Sequence, residues 1–126
     1  MTREIRPGIF DWPSALDDLG PRGKPTALFV DGEPVPPKEQ CLAIVGTRRA
    51  SVTGLELTRR FAKAFAQAGY TIVSGFARGV DTAAHRTAIE VGGKTIAVLG
   101  CGLDVSYPRR NDGLKRQIAN QGTLIT

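Results

Sequence analysis

The sequence predicts one α/β domain built on a mainly parallel sheet, and three observations carry that expectation. Apolar runs of strand length, CLAIVG, TIVS and TIAVLG, alternate with segments of helical periodicity. Each run leads into a glycine-containing loop: GTRRASVTG, SGFARGVD and GCGLDVSYPRRN. The spacing suits right-handed βαβ crossovers. Together these describe a Rossmann-like, doubly wound α/β fold, with helices on both faces of the sheet, in a partial or minimal version.

The elements follow in order. Residues 1–40 read as a lead-in packed on the main domain, and residues 41–126 as the Rossmann-like domain itself. In the lead-in, WPSALDDL has the length of one or two helical turns, and ALFV is a strand closed by an Asp31-Gly32 turn. Pro34, Pro36 and Pro37 then make a stiff connection. CLAIVG is continuously apolar, as suits a strand buried on both faces, and it ends at Gly46. In the next helix Thr53 and Glu56 have capping-box spacing, Leu57, Phe61, Ala64, Phe65 and Ala68 share a face, and Gly69 is placed to end it. After TIVS, a helix is expected over Thr82–Val91 with Asp81 as its N-cap and Gly92 as its stop. After TIAVLG and a longer loop, a helix is expected over Asp112–Asn120, capped by Asn111. TLIT reads as the start of a fourth strand. A sheet that stops there is small for this architecture, so the chain is expected to be incomplete at its C-terminus, with that strand as an unpaired edge open to self-association.

Composition narrows the function. The chain is 126 residues long with 41% hydrophobic residues, enough for one real core. It carries 17 Lys and Arg against 12 Asp and Glu, a net charge of +5, and excess positive charge attracts polyanions. No apolar run approaches the ~18 residues of a membrane span, and MTREIRPGIFDWP lacks a signal peptide's apolar core. A cytoplasmic protein without a membrane partner is expected. Cys41 and Cys101 form no CxxC, so buried free thiols are expected in place of a disulfide or metal site.

In such sheets ligands bind beyond the carboxyl ends of the strands, which directs the reading to the three loops. In the first, Gly46 permits close backbone approach, Thr47 offers a hydroxyl, and Arg48 presents a fork matched to phosphate at a helix N-terminus. A tight turn with two solvated arginines explains the same residues. In the second, Gly75 and Gly79 flank Arg78, and the amides of Val80 to Ala83 are candidates to face an anion. Asp81 is read mainly as a helix cap, with Arg78 or a ligand hydroxyl as other partners. In the third, Tyr107 precedes Arg109 and Arg110, a pattern suited to stacking a base while holding its backbone; Phe76 beside Arg78 repeats it, although a core phenylalanine is the favoured reading there.

Several chemistries lack their motifs. No GxGxxG follows the first strand, Ser74 stands where a ribose-binding acid would end the second, and there is no GxxxxGK[ST]. The one histidine, His85, would need Ser51, Ser74 or Ser106 brought to it by folding to form a hydrolytic triad. A non-enzymatic, cofactor-free phosphate binder is the expectation, and binding or hydrolysis of a small nucleotide is the alternative.

AIVGTRRAS, IVSGFARGVDTAAHRTAI and GGKTIAVLGCGLDVSYPRRN, with WPSALDDLG and ALFVDGEP before them, resemble in order and spacing the DNA-processing protein A family (DprA, also called Smf). The resemblance implies an extended Rossmann fold that binds single-stranded DNA without reading bases, serves natural transformation and DNA recombination, and helps load the RecA recombinase, as a homodimer and without catalysis. It carries the family's phosphate-contacting Gly-Ser/Thr-Arg onto Gly46, Thr47 and Arg48, and its second glycine loop onto Ser74, Gly75, Arg78, Gly79 and Asp81. Phe76 departs from the smaller or aliphatic residue common there. The family's next motifs lie beyond Thr126.

Overall fold

The computed structural model describes all residues, Met1–Thr126. Strand β1 (Thr2–Ile5) is followed by a 3-10 segment (Ser14–Leu19), a single turn α1 (Gly20–Gly23) and β2 (Leu28–Gly32). Then come β3 (Cys41–Ala43), α2 (Val52–Gln67), β4 (Thr71–Ser74), α3 (Val80–Glu90), β5 (Thr95–Val98), α4 (Asp112–Gln121) and β6 (Thr123–Ile125). The six strands form one sheet in the order β1-β2-β6-β5-β4-β3. From β3 to β6 all neighbours are parallel, while β2 pairs antiparallel with β6, and β1 with β2. This is the mainly parallel, Rossmann-like α/β class that the alternation predicts.

Because β3, β4, β5 and β6 lie in sequence order, each crossover steps in the same direction, and a constant right hand puts α2, α3 and α4 on one face. The three long helices thus share one face, in place of the expected distribution over both, and the opposite face is covered by the lead-in with its 3-10 segment. On the helix face, Ala97, Leu99 and Leu124 pack with Leu114 and Ile118, and Ile72 packs with Ala66, Ala84 and Ala88. On the opposite face, Ile96, Ile125 and Val30 pack with Ile5 and Trp12, and the 3-10 segment adds Leu16. Between that segment and the sheet lies a cavity of about 660 Å³, lined by Trp12, Leu16, Val73, Ile96, Val98 and Ile125 among others.

Four local expectations are corrected. Strand β6 is no edge: it lies between β2 and β5. The open edge of the parallel strands is β3, beside which Leu57 and Phe61 of α2 are exposed. The buried stripe of α2 is therefore Thr58, Ala62 and Ala66, since close approach to α3 requires small side chains where Ala84 and Ala88 face them. The cap of α2 is Ser51, whose hydroxyl accepts from the Gly54 amide at 3.0 Å, in place of Thr53. Strand β1 was not expected, because TREI buries only Ile5 and shows no apolar run.

Both cysteines are free thiols and half-buried, and burial pushes the Cys41 thiol up, aided by Glu39. His85 is fully buried. Its Nδ1 lies 2.6 Å from the Thr95 hydroxyl, which itself donates to the Ile72 carbonyl at 2.7 Å. Nδ1 must then carry the proton and donate, leaving Nε2 as a buried acceptor without a partner. Burial lowers the His85 pKa to about 3. Since the unfolded chain takes up this proton near pH 6.5 and the folded chain does not, acid favours unfolding. Between pH 6.5 and 5, above the range of ordinary carboxylates, the unfolding free energy should fall with a slope approaching about 1.4 kcal/mol per pH unit. Urea titrations across that window measure it, and His85→Gln should flatten the profile.

Candidate nucleic-acid interface

The parallel strands all end on the same side, so the loops after β3, β4 and β5 emerge together. The first two interlock. Gly79 adopts a left-handed φ of +78°, and a Cβ there would stand 2.4 Å from the Thr47 carbonyl oxygen and 2.8 Å from that of Arg48. The first loop thus crosses directly over the second. The Val80 amide donates to the Thr47 carbonyl at 3.2 Å, and Gly46 lies so close to Val80 that a Cβ would approach its side chain to 2.8 Å. Thr47 also accepts from the Arg49 amide at 3.1 Å, which tightens the turn.

The second loop is pinned from beneath. Phe76, at φ +61°, is an uncommon conformation for a non-glycine residue. Its ring is buried among Ala97, Leu99 and Leu114, with its centroid 5.9 Å from that of His85, so it anchors the loop and does not stack a base. The Ala77 amide donates to Asp81 Oδ2 at 3.3 Å, and its carbonyl accepts from the Thr82 hydroxyl at 2.6 Å. Asp81 is not the N-cap of α3, a position held by Gly79; its carboxylate turns inward below Gly75, with Oδ1 buried and unpartnered. Ser74 is buried as well, its hydroxyl donating to the Ile44 carbonyl at 2.6 Å.

The backbone amides available to an anion differ from expectation. Val80 donates to Thr47, Thr82 to Ala77 and Ala83 to Gly79, so most of the α3 terminus is satisfied internally. At α2 the Gly54 and Leu55 amides are taken by Ser51, and those of Val52 and Thr53 have no protein partner. These two amides, in the positive end of a 16-residue helix, come four and five residues after Arg48.

Charge is segregated. Twelve of the 17 basic residues but only five of the 12 acidic ones lie in residues 41–126, a net charge of +7 there. The ion pairs involve the N-terminus, Arg3, Arg6, Lys24 and Lys94. Arg48, Arg49, Arg78, Arg109 and Arg110 are exposed, and none has a carboxylate partner within 4.0 Å. Tyr107 is 57% exposed. Its loop is held by Lys115, which donates to the Leu103 and Val105 carbonyls, and by a hydrogen bond from Ser106 to Asp112. Asn111, next to Arg110, reaches the Thr82 hydroxyl at 2.8 Å and joins this loop to the second.

The structure therefore brings Gly46, Thr47, Gly75, Gly79 and Asp81 into one packed unit, with Arg48, Arg78 and Arg110 at its surface and Ser74 beneath. Ser51, Thr82 and Asn111 were not read as part of it. Ser51 is signalled by its place three residues before Gly54; nothing local signals the Asn111–Thr82 contact. His85 bonds to Thr95, whereas Ser51, Ser74 and Ser106 have the partners given above.

The fold and site define a Rossmann-like α/β domain that presents exposed, unpaired arginines on interlocked glycine loops. The chain belongs to the DNA recombination-mediator protein A family, whose model matches residues 5–126. It is 39% identical over 119 residues to the DNA processing protein DprA of Streptococcus pneumoniae, covering 90% of this chain and 42% of that protein. It is 45% identical over 101 residues to Protein Smf of Escherichia coli, covering 80% of this chain and 27% of the relative. The X-ray structure of the S. pneumoniae protein superposes with a TM-score of 0.84 at 34% identity, covering 98% of this chain and 42% of that one. A Helicobacter pylori DNA processing protein A structure, described for its single-stranded DNA binding mode, gives 0.81 at 29% identity, covering 99% and 54%. The chain thus spans less than half the length of the curated relatives it matches. No helix is long and apolar enough to cross a membrane.

The interlock makes a quantitative prediction. Gly79→Ala should cost well over about 2 kcal/mol in urea unfolding, combining a left-handed alanine with the clash on Thr47. Gly69→Ala, at φ +96° with nothing within 4 Å, should cost only the backbone term of about 1–2 kcal/mol.

Proposed function

We propose that this chain grips the phosphates of single-stranded DNA without reading its bases. Phosphates lie against the first loop and the free Val52 and Thr53 amides, held by Arg48 and Arg78, with Arg110 continuing the path and Tyr107 offering a stacking face. Gly46, Thr47, Gly75 and Gly79 shape the backbone, while Ser74 and Asp81 support it from below. The carrying observation is that Arg48 and Arg78 stand exposed and without acidic partners on backbone interlocked at Gly79. Family membership and the single-stranded DNA binding described for the H. pylori relative support the polymer as ligand. In this reading the chain acts in DNA processing during natural transformation, without catalysis of its own, and passes the strand to a RecA recombinase, in keeping with a recombination mediator.

Fluorescence anisotropy of a labelled strand of ~20 nucleotides, titrated at several salt concentrations, tests this. Affinity should fall with salt at a log-log slope near −0.7 per phosphate neutralised. Arg48→Ala and Arg78→Ala should each weaken binding about tenfold on any sequence and make the slope shallower. Displacement by a mononucleotide as readily as by the strand would favour the small-nucleotide alternative. A loss confined to one base sequence would count against backbone recognition.

A further inference from the structure

Asn111 occupies the N-cap position of α4, where an asparagine side chain ordinarily accepts from the helix's own amides, yet it makes no such bond. Instead it is 98% buried and its Nδ2 donates across 29 residues of sequence to the Thr82 hydroxyl at 2.8 Å. That hydroxyl has one proton, which goes to the Ala77 carbonyl at 2.6 Å. The Ala77 carbonyl also receives the Thr82 amide at 3.1 Å, while the Ala77 amide is held by Asp81. Ala77, the residue immediately before Arg78, is therefore held at both its amide and its carbonyl, the latter partly through a relay that begins in the third loop.

We propose that Asn111 is a positioning residue of the interface: by fixing Thr82, and through it Ala77, it sets where Arg78 stands relative to Arg48 and ties both to Arg110. The physical reason lies in the neighbours. Phe76 is in the left-handed region, and Gly79 must lie under the Thr47 and Arg48 carbonyls. A loop held in such conformations persists only when its surroundings over-determine it. Removing Asn111 leaves the Thr82 hydroxyl free to change partner, and Ala77 loses its fixed acceptor geometry. Asn111 forgoes its local cap to make this bond.

This role rests on the DNA reading for its functional consequence, so the test has two readouts. In the anisotropy titration, at a temperature where every variant is folded, Asn111→Ala and Thr82→Val should each weaken binding about tenfold. The double variant should be no weaker than either single one, because both break the same relay. Thr82→Ser, which keeps the hydroxyl, should bind as the unmodified chain does. Independently, in DNA-free protein, Asn111→Ala and Thr82→Val should accelerate amide exchange at Ala77 at least tenfold and shift the amide resonances of Ala77, Arg78 and Gly79. Additive losses, failure of Thr82→Ser to retain binding, or unchanged Ala77–Gly79 amides in the variants would overturn the positioning role. If the unmodified chain does not bind the strand, the DNA reading fails, and the amide data still decide whether Asn111 positions the loop.

Discussion

At Gly79 two loops pass within contact distance of one another, and the remaining geometry of the interface follows from that crossing. The backbone must turn left-handed there, and no Cβ is tolerated beneath the Thr47 and Arg48 carbonyls. The crossing also supplies a cap. The Thr47 carbonyl takes the Val80 amide, so the first amide of α3 is satisfied by the loop after β3 and not by a side chain of its own. Loop position and helix position are consequently one quantity: α3 cannot shift without carrying the first loop, nor the first loop without uncovering α3.

The same crossing distributes charge. Amides that would otherwise attract an anion at α3 are consumed internally, so attraction falls to arginine side chains and to the start of α2. Arginine suits that division, because its planar fork can reach phosphate in solvent without a buried partner. Asp81, the acid of the second loop, is turned under Gly75 toward the Ala77 amide, away from the surface where it would repel phosphate. The ion pairs gather around the lead-in and β2, and the arginines of the loops keep their charge unneutralised.

The sheet explains why the apolar pattern of α2 misleads. Two of its large hydrophobic residues, Leu57 and Phe61, are exposed beside β3, a strand with one open side, while the tightest contact of the helix is made through alanines. Hydrophobic periodicity identifies the helix, but it weights residues by size, and two helices in close contact select small ones. The exposed apolar edge of β3 and the cavity beside Trp12 are both faces where the parallel strands carry the composition of buried structure.

The order of strands and helices, the stops at Gly69 and Gly92, the three loops and their arginines are all visible in the chain itself. Each depends on residues a few positions apart: alternation, helical period, a glycine at a helix end. What folding alone settles is partnership at long range. Ser74 faces Ile44, Asn111 leaves its own helix for Thr82, Asp81 serves Ala77 instead of capping, and TREI becomes a strand because β2 is there to pair with it. A polar side chain has several acceptors and donors within reach of its type, and only the packing of elements tens of residues apart determines which of them is at 2.8 Å.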